Sequence, residues 1–443
     1  MKLARNLFVS LLMVAALGAC KKADAPATET KKDDAAKPAA ALRGVDMATK
    51  TITIGALNDE SGPAAVIGKP FAVGKRILAE QVNAGGSGIL PEGWKVKLVE
   101  KDHGYNPAKA KDAYNEIKGD VLFIGTSFGT PNTLPLQPFL AQDKMMAFPA
   151  SLSSAMAGSE WTPPIGTPYK HEAMRAVDYM VESAGGADKV KAAIVYDQTD
   201  FGKDGIEGFK AAAEAAGVTV VSEQAVTPGQ KDFTAVVGAL KQAGATHVVL
   251  TVLASSTGPI LGTAAKMQYP ANWIGQTPSW IDPFFAHPQL PPPVFGGFVW
   301  VNSVPFWGEQ LPGMDVFLKA FETYGASKGA RPDFYTMVSY IQGTIALQAA
   351  KAAIEGNDIS PDGYAKALRS IKDFNAGGMI KPVDLTKFPY ETSTAARILK
   401  PDFEKKSWTV VSDYAAPTAL AAAAAPAAPA AAEPAAAEEK AAE

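Results

Sequence analysis

Short apolar runs alternate with longer stretches in which apolar residues recur every three or four positions, beginning near residue 51. Residues 51–57 read as a strand. Over 64–83, Phe71, Ile77, Leu78 and Val82 share one helical stripe, which Gly85-Gly86 stops. Residues 94–100 predict a second strand, and Asn106-Pro107 opens a helix to about 118 as an N-cap and a first-turn proline. Val121-Leu122-Phe123-Ile124 predicts a third strand. A hydroxyl-rich loop, Gly125-Thr126-Ser127-Phe128-Gly129-Thr130, and a helix starting near Pro131 follow it. A fourth strand over 145–150 runs into Ser151-Leu152-Ser153-Ser154. Strand and helix in alternation argue for a parallel sheet covered on both faces, with ligands held at the carboxyl ends of its strands. Ser61, Ser127 and Ser151 sit at such ends.

After a Pro- and Gly-rich crossover at 161–168 the pattern restarts. Helices are expected over 170–183, from the end of a polar loop at 197–202 to 216, from Asp232 to 242 and up to Met267. Strands are expected over 190–196, 218–221, 246–253 and 273–275, the last leading back out of the unit. Further helices are expected over 315–324, 333–356 and 362–371, and a hairpin over 395–399 and 407–411. The span 288–312, rich in proline, aromatics and glycine, gives no clear period. Two α/β units in series predict two similar lobes with a cleft between them, an α/β fold of two Rossmann-like lobes with parallel sheets.

The ends change the picture of where such a protein works. A short basic start, an apolar run over 7–17 and Leu17-Gly18-Ala19-Cys20 read as a signal peptide over 1–19 ending in a lipobox. Cys20 is the only cysteine of the chain. It is the expected lipidation site, anchoring the protein to a membrane in the bacterial cell envelope, in the periplasm or at the cell surface. Residues 20–49 read as a disordered tether and 416–443 as a disordered Ala/Pro/Glu-rich tail. The net charge of −3 is spread along the chain without a basic stripe, which argues against nucleic acid as a partner.

Gly-Thr-Ser-Phe-Gly at 125–129 fits the G-x-S-x-G pattern of a hydrolase nucleophile elbow, with Ser127 as the nucleophile. The partners that chemistry needs are not arranged for it. His247 enters an apolar strand at the end away from the cleft, His287 lies in a proline-rich loop and His171 opens a helix. The sequence therefore favours a binding role without an enzymatic activity. With four scattered histidines and no cysteine pair, neither a metal nor a cofactor is expected; His103 beside Asp102 reads as a rim contact. Phe128, Phe201, Trp280 and Tyr335 are the aromatics expected to wall a small-molecule site.

Motifs along residues 50–412 give a resemblance: Ser61-Gly62-Pro63 with Gly68-Lys69; Asn106-Pro107-Ala108-Lys109-Ala110; Tyr196-Asp197 with Phe201-Gly202; Thr227-Pro228-Gly229 with Asp232-Phe233-Thr234; and Tyr324-Gly325 with Ala330-Arg331-Pro332-Asp333. In this order, behind a lipobox, they resemble the type I periplasmic solute-binding proteins, and within them the leucine/isoleucine/valine-binding branch that feeds ABC importers. The resemblance implies two lobes joined by three hinge crossings, lobe 1 being 50–165 with 278–385 and lobe 2 being 166–277 with 386–415. It implies a small-molecule ligand in the cleft and a permease as partner. A sensory receptor of the same fold is the alternative. Carried over by position, the ligand-holding loops of the family fall at Gly129-Thr130 and at Ala150, Ser151 and Ser153, and the second-lobe aromatic falls at Phe201. The family's acidic residue for an ammonium group falls at Ser256 or Thr257, and its serine past the third strand at Gly129. The aromatic expected near Ile67 is missing. The resemblance implies a branched-chain amino acid-like compound, a carboxylate, an amide or a small apolar molecule as ligand, and these departures favour the ones without an amine.

Overall fold

The computed structural model describes residues 42–326, 333–390 and 392–424. The first unit runs β1 (Val45–Asp46), β2 (Thr51–Asn58), α1 (Ala65–Asn83), β3 (Lys95–Asp102), α2 (Pro107–Ile117), β4 (Phe123–Phe128), α3 (Thr130–Thr133), α4 (Gln137–Gln142) and β5 (Ala147–Ala150). Strands β3-β2-β4-β5 lie side by side and parallel, with β1 antiparallel to the start of β2. The Asn106 side chain accepts from the amides of Ala108 and Lys109 at 2.9 and 3.2 Å, the cap expected for α2.

The second unit runs α5 (Tyr169–Ala184), β6 (Lys191–Asp197), α6 (Asp200–Ala216), β7 (Thr219–Val226), α7 (Thr234–Gln242), β8 (His247–Thr251), α8 (Ala254–Lys266), β9 (Asn272–Gly275) and β10 (Phe298–Asn302). The chain then crosses to add α9 (Pro312–Ala320), α10 (Phe334–Glu355) and α11 (Pro361–Leu368) to the first unit. It returns as β11 (Ala396–Asp402), β12 (Ser407–Ala415) and α12 (Thr418–Ala424). The second sheet has the order β7-β6-β8-β9-β10-β11-β12, parallel up to β10 and antiparallel beyond it. Its interior strand β8 is buried along its whole length, as expected where helices cover both faces.

The two units repeat one construction. In each, an aspartate stands at the end of the strand before the first long helix, Asp59 just past β2 and Asp197 closing β6, and its carbonyl touches a glycine of that helix. A β-carbon on Gly68 would lie 1.8 Å from the Asp59 oxygen, and one on Gly202 would lie 1.8 Å from the Asp197 oxygen. Only glycine permits the helix to approach the strand end this closely.

Four expectations are corrected. The strand expected to stop at Ile124 continues to Phe128, so Ser127 is a strand residue and not part of an open loop. The tether expected over 20–49 ends earlier: Val45 pairs with Ile52 across β1 and β2, and the Arg43 guanidinium donates to the carbonyl of Asp143 at 2.6 Å. Lobe 1 does not resume at 278. β10, hidden in the span without a clear period, adds Phe298 beside Trp273, and the crossing follows Asn302. The tail expected from 416 begins with α12, whose Ala419 and Leu420 pack on the second unit and whose Thr418 amide donates to Asp178 at 2.9 Å. Cys20 and residues 425–443 lie outside the described residues.

Candidate ligand-binding site

The carboxyl ends of β2, β4 and β5 face those of β6 and β8, and a small cavity of about 80 Å³ lies between them. Lobe 1 contributes Phe71 from α1, Tyr105 after β3, Phe128 to Thr130 after β4, and Pro149 to Leu152 after β5. Helix α10 adds Phe334, Tyr335, Val338, Ile341 and Gln342. Lobe 2 and the crossings contribute Tyr169, Phe201, Leu253, Thr277, Pro278 and Val304.

The geometry explains why Gly129 stands where the resemblance leads one to look for serine. Its φ is +89°, and a β-carbon there would lie 2.7 Å from Cε2 of Tyr105. The aromatic wall near Ile67 is supplied one turn later by Phe71, whose ring meets Phe128 edge-on at 5.9 Å. The Tyr169 and Phe201 rings meet at 4.7 Å on the opposite side.

Polar groups in the cavity are neutral. The hydroxyls of Thr130 and Ser151 lie 2.7 Å apart. The Tyr105 hydroxyl has no hydrogen-bond partner among the described residues, and burial holds both it and Tyr169 above the ordinary tyrosine pKa. Among the described residues, no aspartate, glutamate, lysine, arginine or histidine lines the cavity.

The carboxylates nearby are committed elsewhere. Asp59 accepts from the amides of Gly62 at 2.6 Å and Ala64 at 2.9 Å, and Asp197 accepts from the amide of Thr199 at 2.9 Å. Asp204 takes the Ser154 hydroxyl and the Lys170 amide, and Glu172 takes the amide of Thr277 at 3.0 Å. Burial pushes all four up from the usual carboxylate range. His103 is also buried, which pushes its imidazole down to about 4 and keeps it neutral.

Of the residues singled out in the sequence, Phe128, Gly129, Thr130, Ala150, Ser151, Phe201 and Tyr335 line this cavity, and Ser127, Ser153, Ser256, Thr257 and Trp280 do not. The Ser127 hydroxyl is buried against that of Thr133 at 2.8 Å and is hydrogen-bonded to no histidine among the described residues, so it is not set up as a nucleophile. The Ser153 amide donates to the Ser151 hydroxyl at 3.2 Å, an indirect contribution. Ser256 and Thr257 are buried in the first turn of α8, where the Thr257 hydroxyl turns back to the Leu253 carbonyl. Their neighbour Ser255 instead crosses the cleft, donating to the Pro63 carbonyl at 2.9 Å. Trp280 is fully buried among Phe284, Phe298 and Trp408, held by its own aromatic cluster. The Gly129 amide donates to the Ala150 carbonyl at 3.2 Å and is spent within the protein.

Tyr105, Phe71, Tyr169, Thr277 and Gln342 were not singled out. Tyr105 had the clearest sequence signal, three residues beyond a strand end in the parallel unit. Tyr335 shows how the lobes meet: its ring lines the cavity, while its hydroxyl donates to the carbonyls of Thr277 at 2.7 Å and Trp280 at 2.9 Å in lobe 2.

The chain matches the periplasmic binding protein family over residues 51–400. The Leu/Ile/Val-binding protein homolog 3 of Brucella melitensis is 30% identical over 211 residues, covering 47% of this chain and 56% of that protein. The match thus spans little more than half the length of this relative. Among solved structures, a fatty acid ABC transporter substrate-binding protein from Thermomonospora curvata superposes with a TM-score of 0.78 at 24% identity, covering 85% of this chain and 95% of its own. A branched-chain amino acid ABC transporter protein from Thermus thermophilus with bound valine gives 0.72 at 21% identity, covering 85% and 99%. At these identities the likeness is one of fold. With the family match covering most of the chain and two parallel sheets facing each other across a cavity, the chain belongs to the periplasmic binding protein family.

Proposed function

We propose that this chain is the extracytoplasmic, lipid-anchored substrate-binding protein of an ABC importer. Its ligand is a mainly apolar molecule with an oxygen-bearing head and no ammonium group. The observation that carries this reading is the cavity lining: among the described residues, Phe71, Phe128, Phe201, Leu253 and Ile341 form apolar walls, the polar groups are neutral, and the carboxylates Asp59, Asp197, Asp204 and Glu172 are tied to backbone or hydroxyl donors. An ammonium group would lose its water there without gaining a carboxylate, which is costly. Of the two neighbours, the one named for a fatty acid fits this lining better than the one holding valine. The permease and the Cys20 anchor rest on the family resemblance and the lipobox at 17–20.

A thermal-shift panel at neutral pH with octanoate, benzoate, octanamide and leucine tests the ligand class. A ligand at a hundred times its Kd adds about 2.7 kcal/mol of stability, a shift of several degrees. One or more amine-free compounds should raise Tm while leucine leaves it in place; a shift by leucine as large as by any of them refutes the reading. For the anchor, Cys20→Ala should move the protein from the membrane to the soluble envelope fraction.

A further inference from the structure

Inside lobe 1, behind the cleft, lies a lysine that packing does not account for. Lys75 sits on the face of α1 that meets α10 and is only 4% exposed. Its ammonium nitrogen reaches the Ser339 carbonyl at 3.1 Å and Oε1 of Gln342 at 3.4 Å, with the Phe71 ring centroid 6.0 Å away. No carboxylate among the described residues pairs with it. The small hollow it lines is otherwise apolar, formed by Ile54, Leu78, Phe123 and Leu347 among others. Neither the strands nor α10 present a charged group to that hollow. Tyr364, stacked on Phe123 at 4.5 Å, turns its hydroxyl to the Ala346 carbonyl at 3.2 Å. Arg76, next on α1, is paired with Glu60 and Glu100. Burial alone pushes Lys75 down to about 7.

Gln342 stands between this lysine and the ligand cavity. Its oxygen faces Lys75, its amide nitrogen donates to the Pro149 carbonyl at 2.8 Å, and its side chain lines the cleft. One N–H of that amide is left for a ligand. Phe71 is likewise shared, lining the cleft on one side and lying under the ammonium on the other.

We propose that Lys75, acting through Gln342, makes the cleft select an anionic carboxylate head over its neutral amide, and that binding draws one proton onto Lys75. The proposal rests on the cleft being the ligand site. A carboxylate accepting from Gln342 places a negative charge one side chain away from Nζ, in a water-poor interior where charges interact strongly. That favours the ammonium form, so Nζ takes a proton from solvent, passing from –NH₂ to –NH₃⁺, and no other bond is made or broken. The ammonium polarises the Gln342 amide, which strengthens its donation to the carboxylate. Lys75 is a positioning residue, separated from the ligand by Gln342.

The test uses octanoate and octanamide with the full-length protein, by titration calorimetry between pH 6 and 8.5. Octanoate affinity should fall above neutrality by up to tenfold per pH unit, while octanamide affinity stays flat. Near pH 7.5 the binding enthalpy of octanoate should differ between phosphate and Tris buffers by an amount that reports proton uptake. Lys75→Met should abolish both the pH dependence and the preference for octanoate. If that variant fails to fold, the two-buffer measurement on the native protein decides. Equal, pH-independent binding of the two probes overturns the role of Lys75 and leaves the cleft reading standing. A preference for octanoate that survives in Lys75→Met also overturns it, and so does failure of octanoate to bind; the cleft reading falls with it only if every amine-free compound of the thermal-shift panel fails as well.

Discussion

The edge of the Tyr105 ring fills the space that a β-carbon at Gly129 would need, 2.7 Å from it. Gly129→Ser, which would restore the serine that the resemblance leads one to look for, must therefore displace Tyr105 and adopt a φ of +89°. The expected cost is about 1–3 kcal/mol, read as a lower denaturant midpoint with an unchanged slope. No leucine binding should be gained, because the acidic partner is still missing.

Tyr335 ties α10 to the loop after β9. In Tyr335→Phe the ring still walls the cavity, and the Trp280 carbonyl loses the hydroxyl that meets it at 2.9 Å. Lobe closure should weaken by about 1–2 kcal/mol, which corresponds to roughly a tenfold loss of ligand affinity. Small-angle scattering should show a larger radius of gyration for the variant at subsaturating ligand. Unchanged affinity and size would show that this contact does not hold the lobes together.

The Glu172 carboxyl, buried between α5 and the loop at Thr277, is pushed up by burial from an ordinary value of 4.5 to about 8. The folded protein thus holds a proton between those values that the unfolded chain releases. Stability contributed by Glu172 is complete below pH 4.5 and is lost as pH rises toward 8. Glu172→Gln can keep the Thr277 contacts through its oxygen and amide without a charge. It should raise Tm by several degrees at pH 8 and by nothing at pH 4.5, as followed by thermal melts.

The Ser127 hydroxyl meets only Thr133, inside the protein. Ser127→Ala should lower stability by about 1 kcal/mol and leave ligand affinity unchanged. A loss of esterase activity in this variant would revive the nucleophile that G-x-S-x-G suggests.

Much of the fold was legible because its signals are local. Asn106-Pro107 opened α2 through an N-cap that needs only the next turn, and Gly85-Gly86 closed α1 at φ values of +79° and +68°. β10 was not legible, because Phe298–Asn302 is a strand only through Trp273 on one side and Leu399 on the other, partners distant in sequence. The loops of the site were found and the side chains that face inward were not separated from their neighbours. Ser255, Ser256 and Thr257 are chemically alike, and only the start of α8 decides that Ser255 reaches Pro63 while Thr257 bonds back to its own helix. Trp280 and Tyr335 looked equivalent as aromatics; the first is claimed by Phe298 and Trp408 and does not line the cavity. Lys75 could not be read from sequence at all, since a lysine on a helix usually faces water.

The chain joins the two lobes from opposite ends. Arg43 and Val45 pin its incoming segment to the first sheet, and Thr418 to Leu420 fasten its outgoing segment to the second unit. A pull applied upstream of residue 42 is therefore borne by lobe 1 alone, leaving lobe 2 as the half free to swing. The two attachment points also form a ruler: fluorophores at the exposed positions 47 and 418 would change separation with every opening and closing, without either dye touching the cleft.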